Sequence, residues 1–478
     1  MPRSAHTPDG GRIVILGAGP CGLACADELT RLGHRDFLLL EAACAPGGLA
    51  SSVVDEAGFT WDLGGHVVFS HFGEFDRLLT ELFTDEDLLH HDRSSYIRYR
   101  DGWTPYPFQQ HLHHLPPKDA AACLRDLLTA RPGPRDSAAS ADFATWLVMV
   151  YGRALVDRFF APYNTKVWAT PLEEMGSAWV AERVATVDVE EILAAFVGAA
   201  APARRWGPNA TFAFPASGGT GEIWRRLAAR IGAGHLRTQV RAVAVDPGTR
   251  AVTLSDGEEI GYDRLVATGP LDQLAAMTTT CPGPLRRAAG RLQHTTVAMV
   301  GLGYRAPTTD ARSWLYFPQP DVPFYRATNF SKYAPANVPG AEVSSYSAWM
   351  TETSLTTGQG VDRDALVRSC DQALRRHDLV PAQAPLASSH VEVIPYAYPV
   401  PTLGRDEVLA QVMPWMEERG IYPRGRFGTW RYEIGNMDHA VKMGIDIARR
   451  LVNGTREELL ASTPSVPSVS AARVECRS

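Results

Sequence analysis

Gly17, Gly19 and Gly22 form G-x-G-x-x-G, and a carboxylate, Glu41, follows about 20 residues later, at the offset where a ribose hydroxyl is held. The first glycine makes a tight turn, the second lets backbone approach a diphosphate, and the third lets helix pack on strand. Just past Glu41, Gly47 and Gly48, with Leu49 beside them, give a second stretch of bare backbone that can meet a ligand. A nicotinamide dinucleotide has no need of that second approach. A flavin dinucleotide, which runs further across its domain, does. The pattern therefore points to FAD rather than NAD.

A second group of residues suits a sugar nucleotide. A diphosphate needs fixed cations, and arginine holds it by two parallel hydrogen bonds. Arg183 and Arg326 lie in aromatic, turn-rich segments, although a surface salt bridge is an equally open reading of each. Tyr316, Tyr325, Tyr333, Tyr398 and Tyr432 can donate to phosphate oxygens, or can be core tyrosines with satisfied hydroxyls. Tyr106, Phe108 and Gln109 are candidates for the wall against a base. There is no Ser-His-Asp pattern, no close carboxylate pair and no metal-ligand spacing, so the flavin is left to carry the chemistry.

Stepping outward, the glycine turn needs a strand before it and a helix after it. Residues 12–16 are an apolar, β-branched run of the kind found in buried parallel strands. The helix that follows aims its unpaired N–H groups at the turn. Residues 37–40 make the second strand, ending at Glu41. Trp61 to His71 joins Gly64 and Gly65 to an apolar strand and reads as a loop able to move over a flavin ring. Residues 95–99 and 103–108 read as a hairpin about Asp101-Gly102. From 114 to about 199 the pattern turns helical, broken by a loop over 131–141, after which Asp142 caps a helix. A glycine-rich turn at 218–221 leads into a helix over 223–231, and a meander over 240–254 precedes a strand at 264–269 that returns to the dinucleotide sheet. Strands are expected at 295–304, 314–317, 343–350 and 391–394, with a helix over 361–376 between the last two. A final helix, 438–451, also offers its N-terminus to the flavin.

The fold class is α/β. A Rossmann-like FAD-binding domain is split over 1–94, 205–285 and 419–461. Sheet strands at 95–113, a helical insertion domain at 114–204 and an antiparallel sheet domain for substrate at 286–418 complete it, with a disordered tail at 462–478. The length of 478 residues is ample for roughly three domains. The net charge of -6 gives no sign of a nucleic-acid or membrane-surface partner, so an anionic substrate must be held by local cations. No apolar run spans a membrane, and residues 1–10 lack the apolar core of a signal peptide. The seven cysteines are odd in number and scattered, with Cys21 and Cys25 one helical turn apart as small packing residues; this suits a reducing, cytoplasmic setting.

The chain closely resembles the UDP-galactopyranose mutases, in the longer type known from eukaryotes, over most of Arg12 to Leu451. The segments that carry the likeness include GGLASSVVDEAGFTWDLGGHVVFSH, YPFQ, APYNTKVWATP, AWVAERVA, WGPNATFAFPASGGTGEIW, WLYFP, PFYRATNFSKY and GRFGTWRYEIGNMDH. The resemblance implies that Gly17, Gly19, Gly22, Glu41, Gly47, Gly48 and Leu49 bind FAD. It implies that Gly64, Gly65 and His66 form a loop whose histidine shifts with redox state, and that Arg426, Gly435 and Asn436 lie around flavin and sugar. Tyr106, Phe108, Gln109, Asn164, Trp168 and Tyr316 match the uridine side. Arg183 and Arg326 match the diphosphate arginines, Tyr333, Tyr398 and Tyr432 the phosphate tyrosines, and Asn209 and Trp314 the sugar side.

The implied reaction is a redox-neutral conversion of UDP-galactopyranose to UDP-galactofuranose. N5 of reduced FAD attacks the anomeric carbon and expels UDP; the ring of the flavin–sugar adduct opens through an iminium and recloses as a five-membered ring. The implied catalytic set is His66, Arg183 and Arg326, with NADPH or NADH as reductant; the oligomeric state is left open. Thr165 and Asn329 depart from the family pattern, which raises the alternative of a different nucleotide sugar. An FAD oxidase of amines or porphyrinogens shares the scaffold and is the remaining alternative.

Overall fold

The computed structural model describes residues 11–130, 142–180, 183–185, 187–198, 210–356 and 358–462. The expected loop at 131–141, Asn209, the first ten residues and the tail from 463 lie outside these.

Two sheets carry the architecture. The first is a five-stranded parallel sheet in the order Ile421–Pro423, Arg264–Ala267, Ile13–Leu16, Phe37–Leu40, Leu236–Arg237. Its members come from three separated stretches of chain, so the dinucleotide fold is discontinuous. The central strand is buried on both faces, with Val14 and Ile15 fully inaccessible, which is why its sequence runs apolar without alternation. Each such side chain contributes about 1.5–3 kcal/mol of burial. Helix Pro20–Arg31 follows directly, with proline in its first turn and no acid there to offset its positive end. Helix Met437–Asn453 crosses it closely: a Cβ on Gly444 would meet the Cys21 carbonyl oxygen at 2.2 Å. Burial pushes the Cys21 thiol up to about 12, in keeping with a packing role.

The second sheet has seven strands, ordered Leu386–Pro399, His294–Tyr304, Ser347–Leu355, Arg326–Asn329, Trp314–Tyr316, Ser95–Tyr99, Gly102–Pro105. All its pairings are antiparallel except Trp314–Tyr316 with Ser95–Tyr99, which is parallel. The sheet is therefore mixed rather than antiparallel throughout. Those two strands are joined by the whole intervening chain, not by a hairpin, so no turn forces them to run in opposite directions. The segment expected at 343–350 forms a strand only from Ser347, and the one expected at 391–394 extends over Leu386–Pro399. Both lengthen because they pair along the full His294–Tyr304 strand. The three-stranded meander Ala242–Asp246, Ala251–Leu254, Glu259–Gly261 packs beside the parallel sheet.

Helices supply the remaining wall. Asp142 caps Phe143–Tyr151 by accepting from the Thr145 amide. A π-helical turn, Val156–Phe160, runs straight into helix Ala161–Trp168, which ends at Ala169 in the left-handed region. Such turns recur at functional sites, and this one lines a cavity with Phe159, Phe160, Tyr163, Asn164 and Trp168. None of the described helices is long and apolar enough to cross a membrane.

Candidate active site

Two cavities lie between the sheets. The first, of about 420 Å³, runs along the carboxyl ends of the parallel strands, where ligands of such sheets bind. Its floor is backbone. A Cβ on Gly22 would sit 1.9 Å from the Gly17 carbonyl oxygen, so this position accepts no side chain and the helix seats directly on the turn. A Cβ on Gly48 would meet the Gly19 Cα at 3.2 Å, which brings the two glycine stretches together. Glu41 is held at the rim by two amides, from Ala18 to Oε2 and from Ala43 to Oε1, both 2.7 Å. Each oxygen keeps a lone pair for a hydroxyl. Gly17, Gly19, Glu41, Gly48, Leu49, Arg426, Gly435 and Asn436 line this cavity, whereas Gly22 and Gly47 shape it from behind. Asn436 stands at the N-cap of Met437–Asn453, a second positive helix end on the same space. A glycine cradle, two helix N-termini and an acid at the ribose position fit a dinucleotide such as FAD.

The second cavity, of about 340 Å³, shares Leu49, His66, Arg426, Asn436 and Met437 with the first, so the two are continuous. His66 stands at the junction. Its Nδ1 is buried with no hydrogen-bond partner among the described residues, an orphan that a ligand can satisfy. Burial, and then the nearby Arg426 and Arg326, lower its imidazole to about 4, so it is neutral at pH 7. The loop that carries it is seated on the mixed sheet: a Cβ on Gly301 would meet the Trp61 ring at 2.6 Å. Buried Asp62 accepts from Ser52 and Thr220 and ties the loop to the turn at 218–221; burial pushes its carboxyl up to about 7.

Gly64, Gly65, Tyr106, Gln109, Asn164, Trp168, Arg183, Trp314, Tyr316, Arg326, Tyr398 and Tyr432 all line this second cavity. The two arginines are held differently. Arg326 makes a two-point pair with Glu352, with Nε to Oε1 at 2.7 Å, and Glu352 also accepts from Tyr325 at 2.6 Å and from the Gly65 amide at 3.0 Å. Burial alone would raise the Glu352 carboxyl, but Arg326 and these donors hold it below the usual range. Arg183 has no carboxylate partner among the described residues. It donates to Asn436 Oδ1 at 2.8 Å and to the Glu433 carbonyl at 2.7 Å, with its guanidinium 5.2 Å from the Tyr432 ring centre. Among the described residues Arg426 likewise donates only to carbonyls, those of Gly435 and Ala397. The cavity therefore carries positive charge that its own carboxylates do not cancel, because Glu433 is engaged by Arg405.

The aromatic end is organised by Arg93, which sequence reasoning missed. Its guanidinium lies 4.3 Å from the Tyr106 ring centre and 5.1 Å from that of Trp314, and it donates to the Tyr316 hydroxyl at 3.0 Å. Lys166, also missed, donates to the carbonyls of Phe317, Gln319, Val322 and Phe324 at 2.7–2.9 Å, pinning helix Ala161–Trp168 to the loop beyond Trp314–Tyr316. Glu352 was the third omission. Lone charged residues in a strand or helix carry no spacing signal; an apolar strand holding a buried glutamate was the one available clue.

Phe108 and Tyr333 are not brought to the cavity wall. Phe108 is consumed by the helical core, stacked on Phe159 at 4.6 Å. Tyr333 is fully buried among Phe212, Phe214 and Phe330, and its hydroxyl has no partner. Thr165 is exposed and Asn329 is buried on Thr308 and Asp310; neither lines the cavity. At the rim, His71, Asp438 and His439 place ligand-type atoms within 4.8 Å of one another. Spacing could not reveal this set, since His71 is 367 residues from Asp438. Asp438 is already bonded to both imidazoles and ties Met437–Asn453 to the rim.

The profile of the flavin containing amine oxidoreductase family matches residues 20–452. A crystal structure of reduced UDP-galactopyranose mutase superposes with a TM-score of 0.89 at 36% identity, covering 95% of this chain and 98% of that one. Curated relatives match only locally. Glutamate synthase [NADH] of Schizosaccharomyces pombe is 47% identical over 49 residues, 10% of this chain. Zeta-carotene desaturase of Arabidopsis thaliana is 30% identical over 91 residues, 19% of this chain. The chain spans 2% and 16% of the lengths of these two relatives.

Proposed function

The chain belongs to the flavin-containing amine oxidoreductase family, and from that premise we propose that it is an isomerase acting on a UDP-sugar, interconverting UDP-galactopyranose and UDP-galactofuranose. The observation that carries this reading is the second cavity. It is walled by Arg183, Arg326 and Arg426, closed by aromatic rings, and continuous with the FAD-shaped cavity at His66. An amine substrate is itself a cation and is repelled by the guanidinium groups of Arg183 and Arg426, which no carboxylate among the described residues pairs; a nucleoside diphosphate is drawn to them.

Arg183 and Arg326 hold the diphosphate, assisted by Tyr398 and Tyr432. Tyr106, Trp314 and Tyr316, fixed by Arg93, take the base with Gln109, Asn164 and Trp168. When bound, reduced FAD supplies a nucleophilic nitrogen, N5, for the anomeric carbon. The chain's own part is positioning: its arginines keep UDP close after it departs, so that its return is a local event. His66, neutral and at the junction, offers a hydrogen bond to the flavin side without adding charge. Glu352 sets the angle of Arg326 and the position of Gly65 together. This reading takes the chain as a mutase of the longer type, with NADPH or NADH as its reductant and a cytoplasmic setting.

Protein loaded with FAD and reduced by dithionite is expected to convert UDP-galactofuranose to UDP-galactopyranose over many turnovers per flavin, with no net consumption of electrons. Absence of turnover by the reduced protein, with the flavin bound, overturns the proposal.

A further inference from the structure

A third cavity, of about 400 Å³, shares no lining residue with the other two. It is bounded by Arg424 and Arg431 on one side and by the residues that follow helix Met437–Asn453 on the other. Four guanidinium groups face two carboxylates there: Arg424, Arg431, Arg450 and Arg456 against Glu417 and Glu457. The carboxylates are already spoken for. Arg424, fully buried, donates to Glu457 Oε1 at 2.6 Å and to Glu417 Oε1 at 2.7 Å. Arg450 pairs with both as well, at 2.7 Å from Glu457 and 3.0 Å from Glu417.

Arg431 and Arg456 are left with no carboxylate among the described residues. For Arg431 the shortage is acute: Nε and Nη1 are buried with no hydrogen-bond partner among the described residues. Burial lowers the pKa of this guanidinium, and Arg405 nearby adds to the effect, while Glu433 and Asp406 only partly offset it. An enclosed guanidinium without partners is unfavourable unless an anion joins it. The lining also includes the apolar side chains of Met413 and Leu460. A phosphate has the geometry to bridge two guanidinium groups, and a space of this size has room for a carbon body as well.

We propose that this cavity is a second, separate ligand site, which takes a small phosphorylated metabolite with its phosphate on Arg431 and Arg456 and its uncharged part against Met413 and Leu460. The site does not depend on the reaction proposed above. It is nevertheless adjacent to the reaction cavity in sequence, since Arg431 precedes Tyr432 and Glu433, whose carbonyls accept from Arg183.

The test is calorimetric titration of the FAD-loaded protein, saturated with UDP, with inorganic phosphate and separately with glycerol 3-phosphate. One saturable event is expected, with glycerol 3-phosphate binding at least as tightly as phosphate. It should persist in Arg326→Ala, which disables the other phosphate site, and weaken roughly tenfold or more in Arg431→Gln, as charge-assisted bonds are lost. Arg456→Gln, a change at an exposed rim position that leaves the core untouched, should weaken it too. No event in the wild type, loss of the event in Arg326→Ala, or indifference to both Arg431→Gln and Arg456→Gln overturns the proposal. Tighter binding of inorganic phosphate than of glycerol 3-phosphate overturns the assignment of an organic ligand.

Discussion

The FAD-shaped cavity and the cavity beside it meet at His66, yet they are made of different material. The first is built from backbone: glycines, two helix ends and amides that hold one carboxylate. The second is built from side chains that arrive from the helical segment, both ends of the mixed sheet and the turn at 431–436. Backbone recognition tolerates no added atom, whereas side-chain recognition fails one contact at a time. The two should therefore break in different ways.

The largest effect is expected at Gly22. Alanine there places a methyl carbon 1.9 Å from the Gly17 carbonyl oxygen, and relieving that overlap costs roughly 1–3 kcal/mol or more in backbone shifts. The shifts fall on the turn and the helix end that face the dinucleotide. Gly22→Ala is expected to purify nearly colourless, with flavin absorbance per mole of protein close to zero. A fully yellow Gly22→Ala protein would show that the backbone cradle is not what retains the cofactor.

Arg326 comes next, and Arg183 is its control. Arg326→Ala removes two charge-assisted bonds from the substrate cavity and leaves Glu352 buried without its cation. Breaking a buried pair in this way costs about 3–5 kcal/mol, and both side chains are well enclosed, at 14% and 3% exposure. The variant is expected to melt markedly lower and to bind UDP more than tenfold more weakly while still carrying flavin. Adding Glu352→Gln should recover much of the melting temperature and none of the affinity. Arg183→Ala, which strands no carboxylate, should lose comparable affinity with a much smaller fall in melting temperature. Recovery of UDP binding in the Arg326→Ala, Glu352→Gln protein would remove Arg326 from the diphosphate site.

This contrast also explains what could be read from the sequence. The FAD-shaped cavity was legible because its parts are local: three glycines, a strand, a helix and an acid at a fixed offset leave a linear signature. The meander and the return of the 264–267 strand were legible through their turns and apolar runs. The second cavity was legible in part: residue chemistry offered Arg183, Arg326, Tyr106, Gln109, Tyr316, Tyr398 and Tyr432, each with another reading open, and the resemblance added Asn164, Trp168 and Trp314. Phe108 and Tyr333 were misplaced because an aromatic residue in a matching segment looks the same whether it faces the cavity or the core. Arg93, Lys166 and Glu352 were invisible because their partners lie far away in the chain, in the case of Glu352 the Gly65 amide 287 residues off. The parallel pair in the mixed sheet was hidden for the same reason, since no turn joins its strands.

His66 gives a pH test of the junction itself. Its folded pKa, about 4, lies below the usual 6.5. Between these values the unfolded chain binds a proton that the folded one does not, so stability falls as pH is lowered through this window and the loss is complete near pH 4. Above pH 6.5 the group is neutral in both states and contributes no slope. The wild-type melting temperature is expected to fall more steeply from pH 6.5 to 4 than that of His66→Asn, which has nothing to protonate. Parallel curves would mean that the folded protein protonates this imidazole as readily as the unfolded chain does, and the junction would then not be a place that keeps His66 neutral.

The smallest effect is expected at Tyr333, and it marks the boundary of the second cavity. Its ring fills the space between Phe212, Phe214 and Phe330, but its hydroxyl is buried without a partner. Removing an unpaired buried hydroxyl while keeping the ring forfeits no hydrogen bond and relieves a desolvation cost of roughly 1 kcal/mol or more. Tyr333→Phe should therefore hold UDP affinity within about twofold and melt at the same temperature or slightly higher, whereas Tyr432→Phe tests a tyrosine that does line the cavity and is expected to weaken UDP by several-fold, in line with roughly 0.5–1.5 kcal/mol for a neutral hydrogen bond. A several-fold loss in Tyr333→Phe would mean that the ring turns toward the substrate when it binds, and that the wall of this cavity, unlike the glycine floor beside it, is assembled only around its ligand.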